Sequence, residues 1–284
     1  MIRLSRGEIV AAVRRALAED TGSGDATTLA TVPTTLAARG RVVAREPLVL
    51  AGIEFAQAAF RLQHRRVRCQ PLVRDGDRVS RGQAVLEVAG PARALLTAER
   101  VALNFLQRLS GVATLTARYV KAVAGTRARV LDTRKTTPGW RRFEKYAVVC
   151  GGGENHRMGL HDLILIKDNH REALREAAPN PIAAAVRRAR ARFPGLVIEV
   201  EADTLEEVEQ AVGAGADVIL LDNMSLAAMR RAVRRVAGRA RLEASGGITL
   251  ASVGAIARTG VDCISVGALT HSARAVDLAL DFLR

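Results

Sequence analysis

Between Arg129 and Leu269 the chain repeats one pattern six times: RVLDTRK (129–135), LILIKDN (163–169), VIEVEAD (197–203), VILLDNM (218–224), LEASGGI (242–248) and CISVGAL (263–269). Each is a short apolar run that ends in polar or small residues. Helical patterns separate them, among others at Ile182–Arg192, Leu205–Gly213, Ser225–Val236 and Leu250–Thr259. Strand, helix, strand at this spacing predicts right-handed parallel βαβ units. Unbroken apolar runs predict strands buried on both faces. Six units fall short of the eight of a full barrel, so the pattern predicts an α/β barrel or a barrel-like parallel sheet that need not close.

Such folds bind ligands at the carboxyl ends of their strands. The sequence places Lys135, Lys167, Glu201, Asp222, Ser245-Gly246-Gly247 and Gly267 there. The stretch from Asp132 to His170, DTRKTTPGWRRFEKYAVVCGGGENHRMGLHDLILIKDNH, adds Arg134 and a His156-Arg157 pair behind three glycines. Cations at the ends of apolar runs point to a small, multiply negative ligand. Backbone amides of the glycine turns can cradle a phosphate, and lysines act on it as point charges. Arg134 and Arg157 suit planar carboxylates through bidentate pairs. Glu201 and Asp222, with no nearby histidine, suit a hard divalent cation such as magnesium, bound partly through phosphates. Phosphate, metal and planar diacid together describe a phosphoribosyl transfer to an aromatic acid.

Plainer readings exist for each part. Gly-Gly follows many strands, and His156, His161, His170 and His271 can be structural. A strand-end lysine also suits Schiff-base chemistry. Lys167 has an acidic neighbour and many cations nearby, however, and paired lysines suit anion binding better.

Working outward, Ser5 and Glu8 form a capping box before Ile9, Val10, Val13 and Leu17 at helical spacing. DTGSGDATT (20–28) breaks that helix. Strand-like alternation follows from Ala37 to Leu50, a helix from Ile53 to Leu62, and short strands around the DGD and RGQ turn signals. The first hundred residues thus predict helices with an antiparallel sheet. Thr97 then reads as the cap of a long helix, with Arg100 in its first turn, where the dipole disfavours a cation. The last segment, Ala275 to Leu283, reads as a helix.

The chain has 284 residues, enough for one large or two unequal domains, and its hydrophobic content of 49% is that of a folded protein. No apolar run reaches membrane-spanning length. The N-terminal stretch is an amphipathic helix with acidic residues rather than a signal's apolar core, so a cytoplasmic location is expected. Cys69, Cys150 and Cys263 lie far apart, which argues against a disulfide framework or structural zinc. Net charge is +14, and only four of the 43 basic residues are lysine. A nucleic-acid binder is the obvious rival. Yet aromatics make up 3% and no recognition motif appears, so no nucleic-acid or membrane partner is expected.

At these residues the sequence resembles the quinolinate phosphoribosyltransferase family. The likeness runs through AEDTGSGDATT, ERVALNFLQRLSG, DTRKTTPG, EKYAV, GGGENHRMGLHDLILIKDNH, IEVEAD, VILLDNM, EASGGI and SVGALTHS, nearly the whole chain. The resemblance implies transfer of phosphoribosyl from phosphoribosyl pyrophosphate to quinolinate with decarboxylation, giving nicotinate mononucleotide, with magnesium required. It implies an α/β fold with an N-terminal α/β sandwich (1–111, joined by a C-terminal helix over 273–284) and an open parallel α/β barrel (112–272). It implies a homodimer or higher oligomer whose site is completed across the interface by Arg100. Arg134, His156, Arg157 and Lys167 are then expected to line the quinolinate pocket. Lys135, Glu201, Asp222, Ser245, Gly246, Gly247, Gly267 and Ala268 are expected on the phosphoribosyl and magnesium side. Thr133 and His271 are further contributors. Lys135, Lys167, Glu201 and Asp222 carry the catalytic expectation. Trp140 stands where an aliphatic residue is expected, and Glu154 adds a negative charge beside His156. A related phosphoribosyltransferase-like protein associated with molybdenum transport shares DTRKTTPG, but the intact NHRMGL and LIKDNH stretches favour the quinolinate enzyme.

Overall fold

The computed structural model describes residues 2–283. Helix α1 (Arg6–Thr21) opens the chain, and Ser5 caps it in a capping box with Glu8, as the sequence predicts. There follow α2 (Ala26–Thr31), β1 (Ala37–Ala44), β2 (Leu48–Val49), α3 (Ile53–Gln63), β3 (Arg68–Pro71), β4 (Arg78–Val79), β5 (Ala84–Pro91) and α4 (Ala92–Ala122). Then come β6 (Arg129–Leu131), α5 (Arg141–Cys150), β7 (Ile164–Ile166), α6 (Asp168–Glu172), α7 (Pro181–Arg192) and β8 (Ile198–Ala202). The chain ends with α8 (Leu205–Gly213), β9 (Val218–Asp222), α9 (Leu226–Val236), β10 (Arg241–Ser245), α10 (Leu250–Ala257), β11 (Cys263–Ser265), α11 (Ala268–His271) and β12 (Leu278–Leu283).

Two compact units result. One comprises the chain up to Ala117, Thr137–Gly152 and the segment from Ser272; the other comprises Arg118–Thr136 and Gly153–His271. The first holds an antiparallel sheet in the order β12-β1-β5-β3 and a small β2-β4 pair. The expected C-terminal helix is instead β12. Its burial alternates, with Leu278 and Leu280 inside and Ala279 and Asp281 half out, and it pairs antiparallel with β1 in the register Val42↔Leu280 and Gly40↔Phe282. Period-two burial and a waiting sheet edge decide for strand. Gly40 permits the close approach, since a Cβ there would lie 3.0 Å from Leu280 Cδ1.

Thr97 is not a cap. Helix α4 begins five residues earlier, because Ala94, Leu95 and Ala98 continue its buried stripe, and the Thr97 hydroxyl donates to Asp25 Oδ2 at 3.0 Å. Arg100 therefore sits beyond the first turn, exposed, and the dipole argument against it lapses. Residues 137–152, expected with the barrel, fold with the first unit. There Trp140 stacks on Phe105 with centroids 5.0 Å apart, and Phe143 meets Phe55 edge-on at 5.0 Å. An aromatic at 140 extends an existing cluster rather than disturbing one. The buried Glu144 accepts from Thr137 N at 3.0 Å and from Arg108 Nη2 at 2.6 Å, which uses the EKYAV motif structurally.

The second unit is the expected parallel sheet. Its order is β6-β11-β10-β9-β8-β7, so β6 and β7, consecutive along the chain, are the two outer strands. Among the described residues no ladder joins β6 to β7, and only one bridge, Leu131 to Glu154, extends that edge: the barrel is open. All five residues of β8 and four of β9 are buried, as unbroken apolar runs predict. Ser225, Thr204 and Thr249 cap α9, α8 and α10, so the turns after β9, β8 and β10 each end on a side-chain oxygen. The three cysteines are free and half-buried, and burial pushes the Cys150 and Cys263 thiols up to about 12.

Candidate active site

The strand ends of the second unit form two neighbouring polar groups. Along β8, alternation aims Glu199 and Glu201 to the same face. At the top, Glu201 is 7% exposed and its Oε2 accepts from Lys167 Nζ, which follows β7, at 2.6 Å. Next to them Asp222 ends β9. Burial pushes its carboxyl above the usual carboxylate range, and the charges of Glu201 and Asp203 push it the same way; Lys167 and an Asn223 hydrogen bond oppose them. Asn223 is held in the left-handed region at φ 50 by donating its N–H to Ser245 O at 3.0 Å, while its Nδ2 donates to Asp222 Oδ2 at 2.7 Å. Gly246 must be glycine: its φ is 94, and a Cβ there would fall 2.1 Å from Asn223 Oδ1.

Gly267 follows β11 and lies under Lys135, for a Cβ on it would be 3.0 Å from Lys135 Cδ and 3.1 Å from His271 Nε2. Thr270 donates to Lys135 O at 2.6 Å, and Thr133 Oγ1 accepts from Lys135 N at 3.0 Å, so the Thr133–Lys135 turn rests on α11, which Ala268 begins. Lys135, Lys167 and His271 are exposed. The structure thus gathers Lys135, Gly267 and His271 on one side and Lys167, Glu201 and Asp222 on another, with Ser245-Gly246-Gly247 behind Asp222.

The second group holds the arginines. Buried Asp132 accepts from Asn155 Nδ2 at 2.6 Å and His156 N at 2.9 Å, tying the GGGENHR loop to the end of β6. Arg157 Nη1 donates to Leu163 O at 3.2 Å. Burial lowers the Arg157 pKa from its ordinary value, the Arg134 charge lowers it further, and Glu199 opposes both. The two guanidinium groups are thus held within electrostatic reach of one another. Glu154 does not intrude: its side chain is half-exposed and points to Arg129, 3.7 Å away.

Two acids in this layer escaped the sequence reading. Glu199 and Glu243, 1% and 2% exposed, flank His156, whose Nε2 lies 2.9 Å from Glu199 Oε2 and 3.7 Å from Glu243 Oε1. Burial, and then the Glu199 charge, hold the Glu243 carboxyl well above the usual carboxylate range. The available signal was period-two alternation, since Glu199 shares a face with Glu201 and Glu243 shares one with Ser245.

Two family models cover the chain: the N-terminal domain of quinolinate phosphoribosyl transferase matches residues 25–110, and its C-terminal domain matches residues 112–281. The chain belongs to the quinolinate phosphoribosyltransferase family. It is 46% identical over 277 residues to the nicotinate-nucleotide pyrophosphorylase [carboxylating] of Mycobacterium leprae, with 95% of each chain covered. It is 42% identical to a probable enzyme of the same name from Bacillus subtilis, covering 93% of this chain and 89% of that one. Among solved structures, the nicotinate-nucleotide pyrophosphorylase of Francisella tularensis superposes with a TM-score of 0.93 at 40% identity, covering 99% of this chain and 98% of that one. Family membership makes this a phosphoribosyltransferase, hence a glycosyltransferase-type enzyme, and sets aside the molybdenum-associated alternative. No helix among the described residues is long and apolar enough to cross a membrane.

Proposed function

We propose that this chain joins quinolinate to phosphoribosyl pyrophosphate at the rim of its parallel unit, releasing pyrophosphate and carbon dioxide and leaving nicotinate mononucleotide. The observation that carries the reading is the division of the rim into two charge environments. Arg134 and Arg157 make one side attractive to a planar diacid. Lys135, Gly267 and the Ser245-Gly246-Gly247 turn offer cations and backbone amides on the other, which suits phosphate.

In this reading the arginines orient the diacid so that its ring nitrogen faces the anomeric carbon. The nitrogen–carbon bond forms as the carbon–oxygen bond to pyrophosphate breaks, and positive charge grows on the ribose. Glu201 and Asp222 stand where that charge is stabilised. The bond between the adjacent ring carbon and its carboxylate then breaks as carbon dioxide leaves; the electron pair stays on that ring carbon, stabilised by the quaternised nitrogen beside it, and is taken up by a proton. Lys135 and Lys167 offset charge on the phosphates and the departing pyrophosphate.

Glu201 and Asp222 are also the residues that would hold magnesium. The donor set fits: both are hard oxygen ligands, and the charges of Glu201 and Asp203 act on Asp222, only partly offset by Lys167 and Asn223. Bound there, the ion would supply further neutralisation of the leaving group. The reading extends to a cytoplasmic homodimer or higher oligomer in which Arg100, exposed on α4, serves a partner's site. Mixing Arg100→Ala with Lys167→Ala protein tests the exchange: restored turnover supports donation across an interface, and no restoration removes it. The function itself is tested by incubating the protein with quinolinate, phosphoribosyl pyrophosphate and magnesium. Stoichiometric nicotinate mononucleotide and carbon dioxide are expected; absence of both would overturn the reading.

A further inference from the structure

His156 has both ring nitrogens engaged within the second unit. Its Nδ1 accepts the backbone N–H of Arg157 at 2.7 Å, and its Nε2 faces Glu199 Oε2 at 2.9 Å. An Nδ1 that accepts carries no proton, so the proton of a neutral ring resides on Nε2 and is donated to Glu199. The ring is 9% exposed, and Glu243 Oε1 lies 3.7 Å from the same Nε2. Neither Glu199 Oε1 nor Glu243 Oε1 has a hydrogen-bond partner. Two buried acids with an unsatisfied oxygen each are costly, and such a cost is met at functional sites more than elsewhere.

Three residues of this kind also resemble a small metal site, since their ligand atoms lie within 4.8 Å of one another. The tautomer argues against it. A metal on Nε2 requires the proton on Nδ1, where it would meet the Arg157 N–H head-on. The negative charge is answered elsewhere, because the Glu199 carboxylate acts on Arg157, which the Arg134 charge opposes.

We propose that Glu199 is a positioning residue for the diacid pocket: it locks His156 as its Nε2–H tautomer, His156 holds the Arg157 backbone, and the Glu199 carboxylate supplies counter-charge for Arg157. The arginines can then stand together before quinolinate arrives, and the substrate meets a preformed fork. This rests on the proposed quinolinate pocket for its consequence, though not for its geometry.

The test has two arms. In ligand-free protein labelled with 15N-histidine, the His156 signals, assigned by their loss in His156→Asn, should show a protonated Nε2 and an unprotonated Nδ1 at neutral pH. A protonated Nδ1, or a mixture of tautomers, would overturn the proposal whether or not the protein turns over quinolinate. In the second arm Glu199→Gln keeps the shape and an acceptor oxygen but removes the charge. Its quinolinate KM should rise ~10-fold, as loss of a charge-assisted partner implies, with the phosphoribosyl pyrophosphate KM within about twofold of wild type. Equal changes in both KM values would mark Glu199 as merely structural and refute the positioning role. A transition metal bound one per chain in purified protein, and lost in Glu199→Gln, would refute it in favour of a metal site. Should Glu199→Gln fail to fold, the tautomer measurement on wild-type protein decides alone.

Discussion

Replacing Arg157 with alanine tests the diacid pocket most directly, and the structure sets the size of the effect. A charge-assisted bidentate contact to a carboxylate contributes about 2–4 kcal/mol. Part of this guanidinium is already committed, because Nη1 donates to Leu163 O at 3.2 Å. That favours the lower end, about 2 kcal/mol, or roughly a 30-fold rise in quinolinate KM. Initial rates at saturating phosphoribosyl pyrophosphate, with quinolinate varied over several decades, measure it. The KM for phosphoribosyl pyrophosphate should move little, and quinolinate should lose more affinity than nicotinate, which offers one carboxylate fewer. A quinolinate KM within threefold of wild type, in a variant with an unchanged melting curve, would place Arg157 outside the pocket.

Lys167→Met leaves the 7%-exposed Glu201 without its 2.6 Å partner. Because the lysine side chain is 46% exposed, the loss should be about 1–3 kcal/mol rather than that of a fully buried pair, read as a lower melting temperature together with collapsed turnover. Wild-type melting would show that water already screens Glu201. Asp222 binds its proton more tightly folded than unfolded, so it subtracts stability once the pH rises above the unfolded aspartate value of about 3.9. Metal-free Asp222→Asn should therefore melt higher than wild type at pH 7, converge with it in acid, and yet lose magnesium-dependent turnover. A lower melting temperature at pH 7 would mean that Asp222 is net stabilised by Lys167. Gly246→Ala combines an unfavourable φ of 94 with a Cβ 2.9 Å from Asn223 N. The expected cost is about 2–4 kcal/mol in urea denaturation, and an unperturbed midpoint would show that the Asn223 turn moves freely.

The parallel unit was legible because its central strands, β8 and β9 above all, are buried on both faces, so their runs of apolar residues are long enough to stand out. Where an element is buried on one face only, the reading failed for physical reasons. LALDFL at 278–283 has as much helical as strand content, and only the vacant edge of β1 separates the two. Similarly, the start of α4 depends on β5 leading straight into Ala92 rather than on a capping side chain. Residues 137–152 look continuous with the barrel in sequence, yet Trp140 and Phe143 find their ring partners, Phe105 and Phe55, in the first unit.

Reading by strand ends put Lys135, Lys167, Glu201, Asp222 and the glycine turns at the carboxyl ends of the parallel strands, where the structure has them, since a rim residue announces itself by ending an apolar run. The layer below does not, because Glu199 and Glu243 sit inside the runs and an average over both faces hides them. Taken face by face, IEVEA carries two acids on one side and three apolar residues on the other, and both sides are buried. A charge inside a buried strand has to be answered by another charge. Here the answer for Glu199 is the His156–Arg157 segment. A site built for an anion thus needs acids beneath its cations, for otherwise like charges would spread the pocket before its ligand could hold it together.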